Sequence, residues 1–479
     1  MIDYLSQFSA LTITFILIYI LAIITAIRAL FEVRTPQGTA AWCVFLLSFP
    51  FISLPLFWVF GRRKFNGYKS PRLRVQVATQ PISERILDLF RGADITIDPI
   101  KTPYSKAIEK IIRLPFTNKN HAELLTDAQV MYEKIFQEIE KAKSYVLVQY
   151  YIFNEDNIGN KFKNLLIKKA EEDIEVYFIY DEFGTRPSRK FLKQLEEGKV
   201  KAAEFNTRKG PDNRFQLNFR NHRKLVIVDG KVAFTGGMNV GDEYLGHDKK
   251  LSPWRDTHLR LEGPTVLSLQ LFFQEDWHWS QKQVLKLAWD LEKSDESDMA
   301  VLAVPSGPAD PFETATLLHL LTIQAATKRL WIATPYFVPD EQFISTLQLA
   351  ALKGVDVRVL IPEKSDTFWN KMAALALMKE LQLAGVKFYW YTNGFMHQKV
   401  MLIDDKLSLI GTANFDCRSF RLNFEMTMTI VDVEFNKQVE TMLVKDFSNS
   451  RMALPNELAK KSLGYQIMSQ ICRLFSPVL

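Results

Sequence analysis

The chain has 479 residues, 47% of them hydrophobic and 24% charged, with a formal net charge of +6. That length allows two to three domains and a large core, and the composition excludes a disordered or low-complexity protein. The mild basicity suits an anionic partner, nucleic acid or an acidic membrane surface, and alone selects neither. The three cysteines, Cys43, Cys417 and Cys472, form no C-x-x-C pair and no zinc spacing. That argues against a disulfide framework and for a reducing compartment.

From Phe8 to Ile27 there is no charged residue, and the run matches the roughly 20 apolar residues a membrane-crossing helix needs. A cleaved signal peptide is the rival reading. The opening "MID" lacks its positive charge, however, and the run is too long for its apolar core. A second uncharged run, Gly38 to Phe60, contains Pro50 and Pro55, which allow a kinked or re-entrant path. The expected anchor is a transmembrane hairpin within residues 1–65, with segments near 8–27 and 38–60. Arg62, Arg63, Lys64, Lys69, Arg72 and Arg74 follow it, while the connecting loop has only Arg28 and Arg34 beside Glu32. If both segments cross, the positive-inside rule places everything after Gly61 on the cytoplasmic side.

Residues 66–125 read as a juxtamembrane linker. Beyond them helical and strand patterns alternate. "AQVMYEKIFQEIEKAK" is an amphipathic helix with Val130, Ile135, Ile139 and Ala142 on one face. The strand "SYVLVQYYIF", the helix "NKFKNLLIKKAEE" and the strand "IEVYFIYDEFG" follow. This order predicts an α/β fold with largely parallel pairing. The second half repeats the plan through "ATLLHLLTIQAATK", "RLWIATPYFV", "EQFISTLQLAALKG" and "VDVRVLIP". An internal duplication accounts for this, giving two pseudo-symmetric lobes at residues 126–290 and 299–479, with the polar stretch Glu292–Asp298 as the seam.

Each lobe carries one copy of a motif. The first reads His222-x-Lys224, four residues, Asp229, six residues, Gly236-Gly237-x-Asn239. The second reads His397-x-Lys399, four residues, Asp404, six residues, Gly411-Thr412-x-Asn414. One such match would be weak, but two at equal spacing are not. Residues two apart on a strand share a face, so each His-Lys pair points one way. The aspartates fall at hairpin turns, the first in an Asp-Gly pair, and read as supporting residues that hold the turn or the lysine. The glycines allow close backbone approach, and Asn239 and Asn414 would offer amide donors.

Two imidazoles brought together can divide the work of nucleophile and general acid. Two lysines can neutralise a phosphoryl group in its transition state. No carboxylate-rich cluster accompanies them, and the lysines supply the positive charge a metal would bring, so no metal or cofactor is expected. The chemistry that fits is transfer at a phosphodiester through a phosphohistidine. The blander alternative, two structural histidines at strand ends, gives duplication of the motif no purpose.

The paired motif is the signature of the phospholipase D superfamily. The surrounding words, among them "FRNHRKLVIVDGKVAFTGGMNVGDEYLG", "WRDTHLRLEGPTV", "TPYFVPDE", "GFMHQKVMLIDD", "GTANFDCRSFRLNFE" and the final "RLFSPVL", resemble the bacterial cardiolipin synthases of that superfamily along essentially the whole chain. The resemblance implies two phospholipase D-like lobes, each a mixed sheet flanked by helices, and transfer between two phosphatidylglycerol molecules to give cardiolipin and glycerol. It implies His222, Lys224, Asp229, His397, Lys399 and Asp404 as the catalytic set, with His222 as nucleophile and His397 as acid/base; the pseudo-symmetry leaves the reverse order open. It also implies Asp256 and Glu425 as carboxylates that orient the histidines, supported by Asn239 and Asn414. His258 and His278 read as structural. The expected surroundings are phosphatidylglycerol and anionic membrane lipid, no nucleic acid, and a bacterial inner membrane entered by the N-terminus. Three rivals remain at this point: a lipid-hydrolysing phospholipase D, a superfamily phosphodiesterase on another substrate, and an inactive membrane scaffold.

Overall fold

The computed structural model describes residues 2–33, 36–61, 66–98, 103–112, 114–205, 218–455 and 457–478. The chain divides into two compact units, an N-terminal one up to Leu73 and one carrying Arg74–Asn206 with Arg220–Leu479.

In the N-terminal unit a helix runs from Ile2 to Glu32. Its part Ala10–Glu32, 23 residues that hold an 18-residue stretch of mean hydropathy 2.7, is long and apolar enough to cross a membrane. The second apolar run is broken. One helix covers Pro36–Ser48, another Pro50–Leu56, and a π-helical turn closes at Gly61. Pro50 is the cause: it supplies no N–H and holds Phe49 before it out of helical geometry, at φ −136°. At about 1.5 Å per residue neither piece spans a bilayer alone. Ala22, Ala26 and Ala29 on the long helix let Leu46, Leu54 and Phe57 pack closely against it. Of the basic residues expected to set orientation, Arg34, Arg62, Arg63 and Lys64 lie outside the described residues, as do the side chains of Lys69, Arg72 and Arg74. Arg28 pairs with Glu32 at 3.0 Å.

In the larger unit two sheets share one plan. The first lobe orders its strands Lys201–Phe205, Glu175–Asp181, Tyr145–Tyr150, Leu225–Val228, Val232–Gly236, His258–Glu262 and Phe116–Leu125. The second orders Lys387–Tyr391, Asp356–Pro362, Arg329–Ala333, Val400–Ile403, Leu407–Gly411, Asn423–Val431 and Met299–Ser306. In each, the first three strands are parallel and the rest antiparallel, so the sheets are mixed and not largely parallel as the element order suggested, because the motif strands return as hairpins. The parallel strands are bridged by helices, two of which have their first N–H groups capped by Asp156 and Asp340. "YVLVQY" and "LVIV" are buried along their whole length, as strands covered on both faces are.

Three other expectations change. Phe116–Leu125, assigned to the linker, is a sheet strand: one end pairs with His258–Glu262 and the other with Met299 and Val301, joining the two sheets. The seam Glu292–Asp298 lies along it, with Ser294 N–H donating to the Lys119 carbonyl and Ser297 to that of Asn120. Val130 faces solvent, because the helix begins at Ala128 and its inward row is Met131, Ile135, Ile139 with Tyr132 and Phe136. The motif aspartates hold neither lysine. Asp229 and Asp404 sit in the left-handed region, at φ 52° and 49°, at the far end of the strand from the His-Lys pair. Asp229 accepts the N–H groups of Lys143, Ser144 and Tyr145 at 2.8–2.9 Å. Asp404 accepts those of Thr327, Lys328 and Arg329 at 2.8–3.0 Å. Each aspartate therefore fixes the hairpin against the start of the neighbouring parallel strand.

Asp229→Ala and Asp404→Ala should each destabilise the protein by about 2–4 kcal/mol, since three backbone donors lose a charged acceptor. The check is thermal unfolding in micelles beside turnover per folded molecule. Loss of turnover with an unchanged Tm would restore a catalytic role to the aspartate.

Candidate active site

Each H-x-K segment is tied by its backbone to the other lobe. His222 N–H donates to the Phe424 carbonyl at 2.9 Å, and His397 N–H to the Arg255 carbonyl at 2.7 Å. Phe424 and Arg255 immediately precede Glu425 and Asp256, so these two bonds bring each histidine to a carboxylate. His222 Nδ1 lies 2.9 Å from Glu425 Oε2, and His397 Nδ1 lies 2.7 Å from Asp256 Oδ2. The pairs are crossed: each lobe's histidine takes its acid from the other lobe. The two carboxylates hold equivalent places, each two residues before the residue that pairs with the hairpin glycine, His258 with Gly236 and Thr427 with Gly411.

Both carboxylates are fully buried. Burial pushes the Glu425 carboxyl up, but His222, Lys224 and the Thr412 hydroxyl outweigh it and hold it at about 2. Burial likewise raises Asp256, and His397 and Lys399 bring it below the usual carboxylate range. Both are ionised and accept a hydrogen bond from Nδ1–H, which leaves each Nε2 with its lone pair. Burial lowers the His222 imidazole to about 4, against the pull of Glu425. Burial and the Lys399 charge lower His397. Both rings are therefore neutral at neutral pH. The edge of the Tyr151 ring lies 4.9 Å from His222 and Trp254 lies 5.3 Å from His397, centroid to centroid.

The lysines are buried with them. Lys224 Nζ donates to the His222 carbonyl at 2.7 Å and Lys399 Nζ to that of His397 at 2.6 Å. Burial lowers Lys224 to about 7 and Lys399 to about 8, and the charge of Lys399 acts on Lys224. The two H-x-K pairs thus face one site, where an arriving phosphate would restore both charges.

The hairpin residues explain why one copy reads Gly-Gly and the other Gly-Thr. A Cβ on Gly237 would lie 2.0 Å from Asp256 Oδ1, so only glycine admits that carboxylate. At the matching place Thr412 donates its hydroxyl to Glu425, and Asn423 adds a second donor at 3.0 Å. Asn239 is structural: its oxygen accepts from Ile152 N–H at 3.1 Å and its nitrogen donates to the Tyr244 hydroxyl at 2.7 Å. The Asn414 carbonyl oxygen is buried with no hydrogen-bond partner among the described residues. His258 is fully buried and driven to about 3 by that burial; it stays neutral. His278 is lowered by partial burial and sits on the helix Thr265–Gln281.

The sequence reading missed two buried aspartates behind the histidines. Asp276 receives Arg223 at 2.7 Å and Gln149 at 2.7 Å, while Arg223 also donates to the Glu425 carbonyl at 3.1 Å. Asp446 receives Gln398 at 2.7 Å and Arg255 through two bonds of 2.8 and 2.9 Å. The middle residue of each H-x-K is thus clamped by a carboxylate on the helix that follows that lobe's sheet. The available signal was a lone aspartate in each of the segments "FFQEDWHW" and "MLVKDFS", which reads as an ordinary helix charge.

The family model described as cardiolipin synthase, phospholipase D-like domain matches twice, over residues 135–252 and 320–447. The phospholipase D-nuclease N-terminal model matches residues 17–62. Cardiolipin synthase A of Pseudomonas putida (strain W619) is 42% identical over 469 residues, covering 97% of each chain. The chain belongs to the bacterial cardiolipin synthases of the phospholipase D superfamily. Within that family, Cardiolipin synthase A of Pseudomonas fluorescens (strain SBW25) is 39% identical over 96% of this chain and 97% of its own. Among solved structures, the phosphatidylserine synthase of Haemophilus influenzae Rd KW20 superposes with a TM-score of 0.60 at 14% identity, over 79% of this chain and all of that one. That likeness is one of fold. The two cardiolipin synthase domain matches enclose both H-x-K motifs and Glu425, while Asp256 falls just beyond the first.

The lysines set a pH dependence. Each is charged below its own pKa, so kcat/KM for an anionic phosphodiester should fall as pH rises through about 7 and 8. On the acid side, protonation of His222 near pH 4 removes a neutral imidazole. Lys224→Arg, which does not titrate here, should move the alkaline limb toward that of Lys399. A profile flat to pH ~10 would contradict the lowered lysines.

Proposed function

We propose that the chain is a phosphatidyltransferase that joins two phosphatidylglycerol molecules into cardiolipin and releases glycerol. The observation that carries the reading is the pair of crossed carboxylate–imidazole dyads with two buried lysines, in a chain of the cardiolipin synthase family.

In the first step one Nε2 attacks phosphorus of the donor lipid, forming a P–N bond as the P–O bond to glycerol breaks. The second imidazole gives its proton to the departing glycerol oxygen. In the next step that imidazole takes the proton from the terminal hydroxyl of a second phosphatidylglycerol, whose oxygen displaces the phosphohistidine nitrogen. His222 is assigned as the nucleophile by the resemblance to the phospholipase D superfamily, and burial keeps its ring neutral for attack. His397, in contact with Asp256, is the acid/base; the negative charge of the bound lipid favours its protonated form. Lys224 and Lys399 neutralise the phosphoryl oxygens. The dyad carboxylates fix the tautomers and stabilise each ring when it is positive. Asp229 and Asp404 act at a distance by fixing the hairpins.

The apolar N-terminal segments place this chemistry at a bilayer, where lipid is concentrated. The lysines and arginines that follow the second segment support a cell-membrane location with the larger unit on the cytoplasmic face.

Protein in micelles containing only phosphatidylglycerol should release glycerol and form cardiolipin. Phosphatidic acid as the sole lipid product would make it a hydrolase instead. His222→Ala and His397→Ala should each lower turnover by at least about 10³-fold, and a chelator should have little effect because the lysines carry the charge. Glu425→Gln should lower kcat with a smaller change in KM; an unchanged kcat would remove Glu425 from the dyad.

A further inference from the structure

The helix Leu463–Leu474 is built inside out. Its fully buried positions are Ser469 and Cys472, and Ser469 donates to the Met372 carbonyl at 2.6 Å on the helix Phe368–Leu383. Its large apolar side chains point away from the protein: Leu463 is 72% exposed, Ile467 52% and Leu474 78%, with Ile471 also exposed. Their spacing of four, four and three puts them on one helix face. Phe368 and Trp369 on the neighbouring helix are exposed too, and the Trp369 ring meets Phe475 at 5.9 Å. A surface helix in water turns its apolar stripe inward. A contiguous outward face of this kind marks a covering partner or a membrane.

Three observations choose the occupant. From Leu458 through Val478 there is no Asp or Glu, against Lys460, Lys461 and Arg473; Arg473 is shared with Glu341 and Glu380, and the two lysines are exposed. The face carries Trp369 and Phe475 among its aliphatics, the mixture that settles at a headgroup boundary. It also begins within electrostatic reach of the active site. Asp366, two residues before Phe368, is exposed, accepts from the Tyr336 hydroxyl, and its charge acts on both His397 and Lys399.

We propose that Phe368, Trp369, Leu463, Ile467, Ile471 and Leu474 form a face that docks onto an anionic phospholipid bilayer, near the active site. A lipid's phosphate then reaches the histidines while its acyl chains remain in the membrane. The proposal rests on the lipid-substrate reading above and gives that site its entry side. It also gives a task to the C-terminal "RLFSPVL", which the transfer chemistry leaves unused.

The test uses the full chain in phosphatidylglycerol vesicles, with Cys43 replaced by alanine and spin labels at Ile467→Cys, Leu474→Cys or, as the water-facing reference, Lys437→Cys. Labels at 467 and 474 should collide with oxygen and be shielded from a water-soluble nickel chelate, the reverse of 437. Nickel access equal to that at 437 would overturn the proposal. Shielding from both, with spin–spin broadening, would also overturn it and assign the face to a second copy of the chain. Independently, Ile467→Glu with Ile471→Glu should lower the ratio of turnover on vesicles to turnover on dispersed short-chain phosphatidylglycerol by about tenfold; an unchanged ratio would count against docking. If the unsubstituted protein made no cardiolipin from either lipid while the labels reported insertion, the function reading would fail and the docking face would stand.

Discussion

The structure depends on four buried charges that balance one another. Asp256 and Glu425 carry two negative charges, Lys224 and Lys399 two positive, and all four are nearly or fully removed from water. Either pair alone would be costly to bury, since desolvation of an unpartnered ion outweighs most local gains. Set together around two imidazoles, they are tolerated, and the site is ready for one more anion. The cost remains visible in the lysines, lowered to about 7 and 8. Burial favours loss of a lysine proton, and the negative charge of a phosphodiester opposes that loss.

The sheets serve this balance. The first lobe's histidine strand lies against parallel strands on one side and its hairpin on the other, with the aspartate after the strand bonded to three N–H groups of its neighbour. The position of Lys224 along its strand is therefore fixed from the end that holds no chemistry. Behind the histidines, Asp276 and Asp446 anchor the intervening residues Arg223 and Gln398. Asp446 also grips Arg255, the neighbour of Asp256, so one carboxylate holds both members of the His397 dyad. Imprecision in such a site is expensive, because displacing a reacting group by about 1 Å can cost about 10²-fold in rate.

Much of this was legible in the sequence. The two motifs announced themselves by repetition, the α/β plan by alternation of apolar periods, and the break in the second apolar run by Pro50. What was not legible lies between distant residues. His222 and Glu425 are 203 positions apart and His397 and Asp256 are 141, and no local pattern says which acid serves which ring. The strand Phe116–Leu125 was hidden because "FTNKNHAELL" is mostly polar; its role as the shared edge of two sheets comes from pairing, not composition. Val130 was misplaced by one step, since apolarity alone does not locate the first turn of a helix. Asp276 and Asp446 looked like solvated helix charges until the fold closed over them.

The crossed dyads have a consequence for how such a chain could arise. A lobe by itself holds a histidine without its acid and an acid without its histidine. It would be an incomplete device, not a slower one. An ancestor with a single copy of the motif could have worked only as a twofold pair of identical chains, each lending its carboxylate to the other. Fusing two copies would free the activity from chain concentration and let the halves diverge; here one reads Gly237 against an aspartate and the other Thr412 against a glutamate.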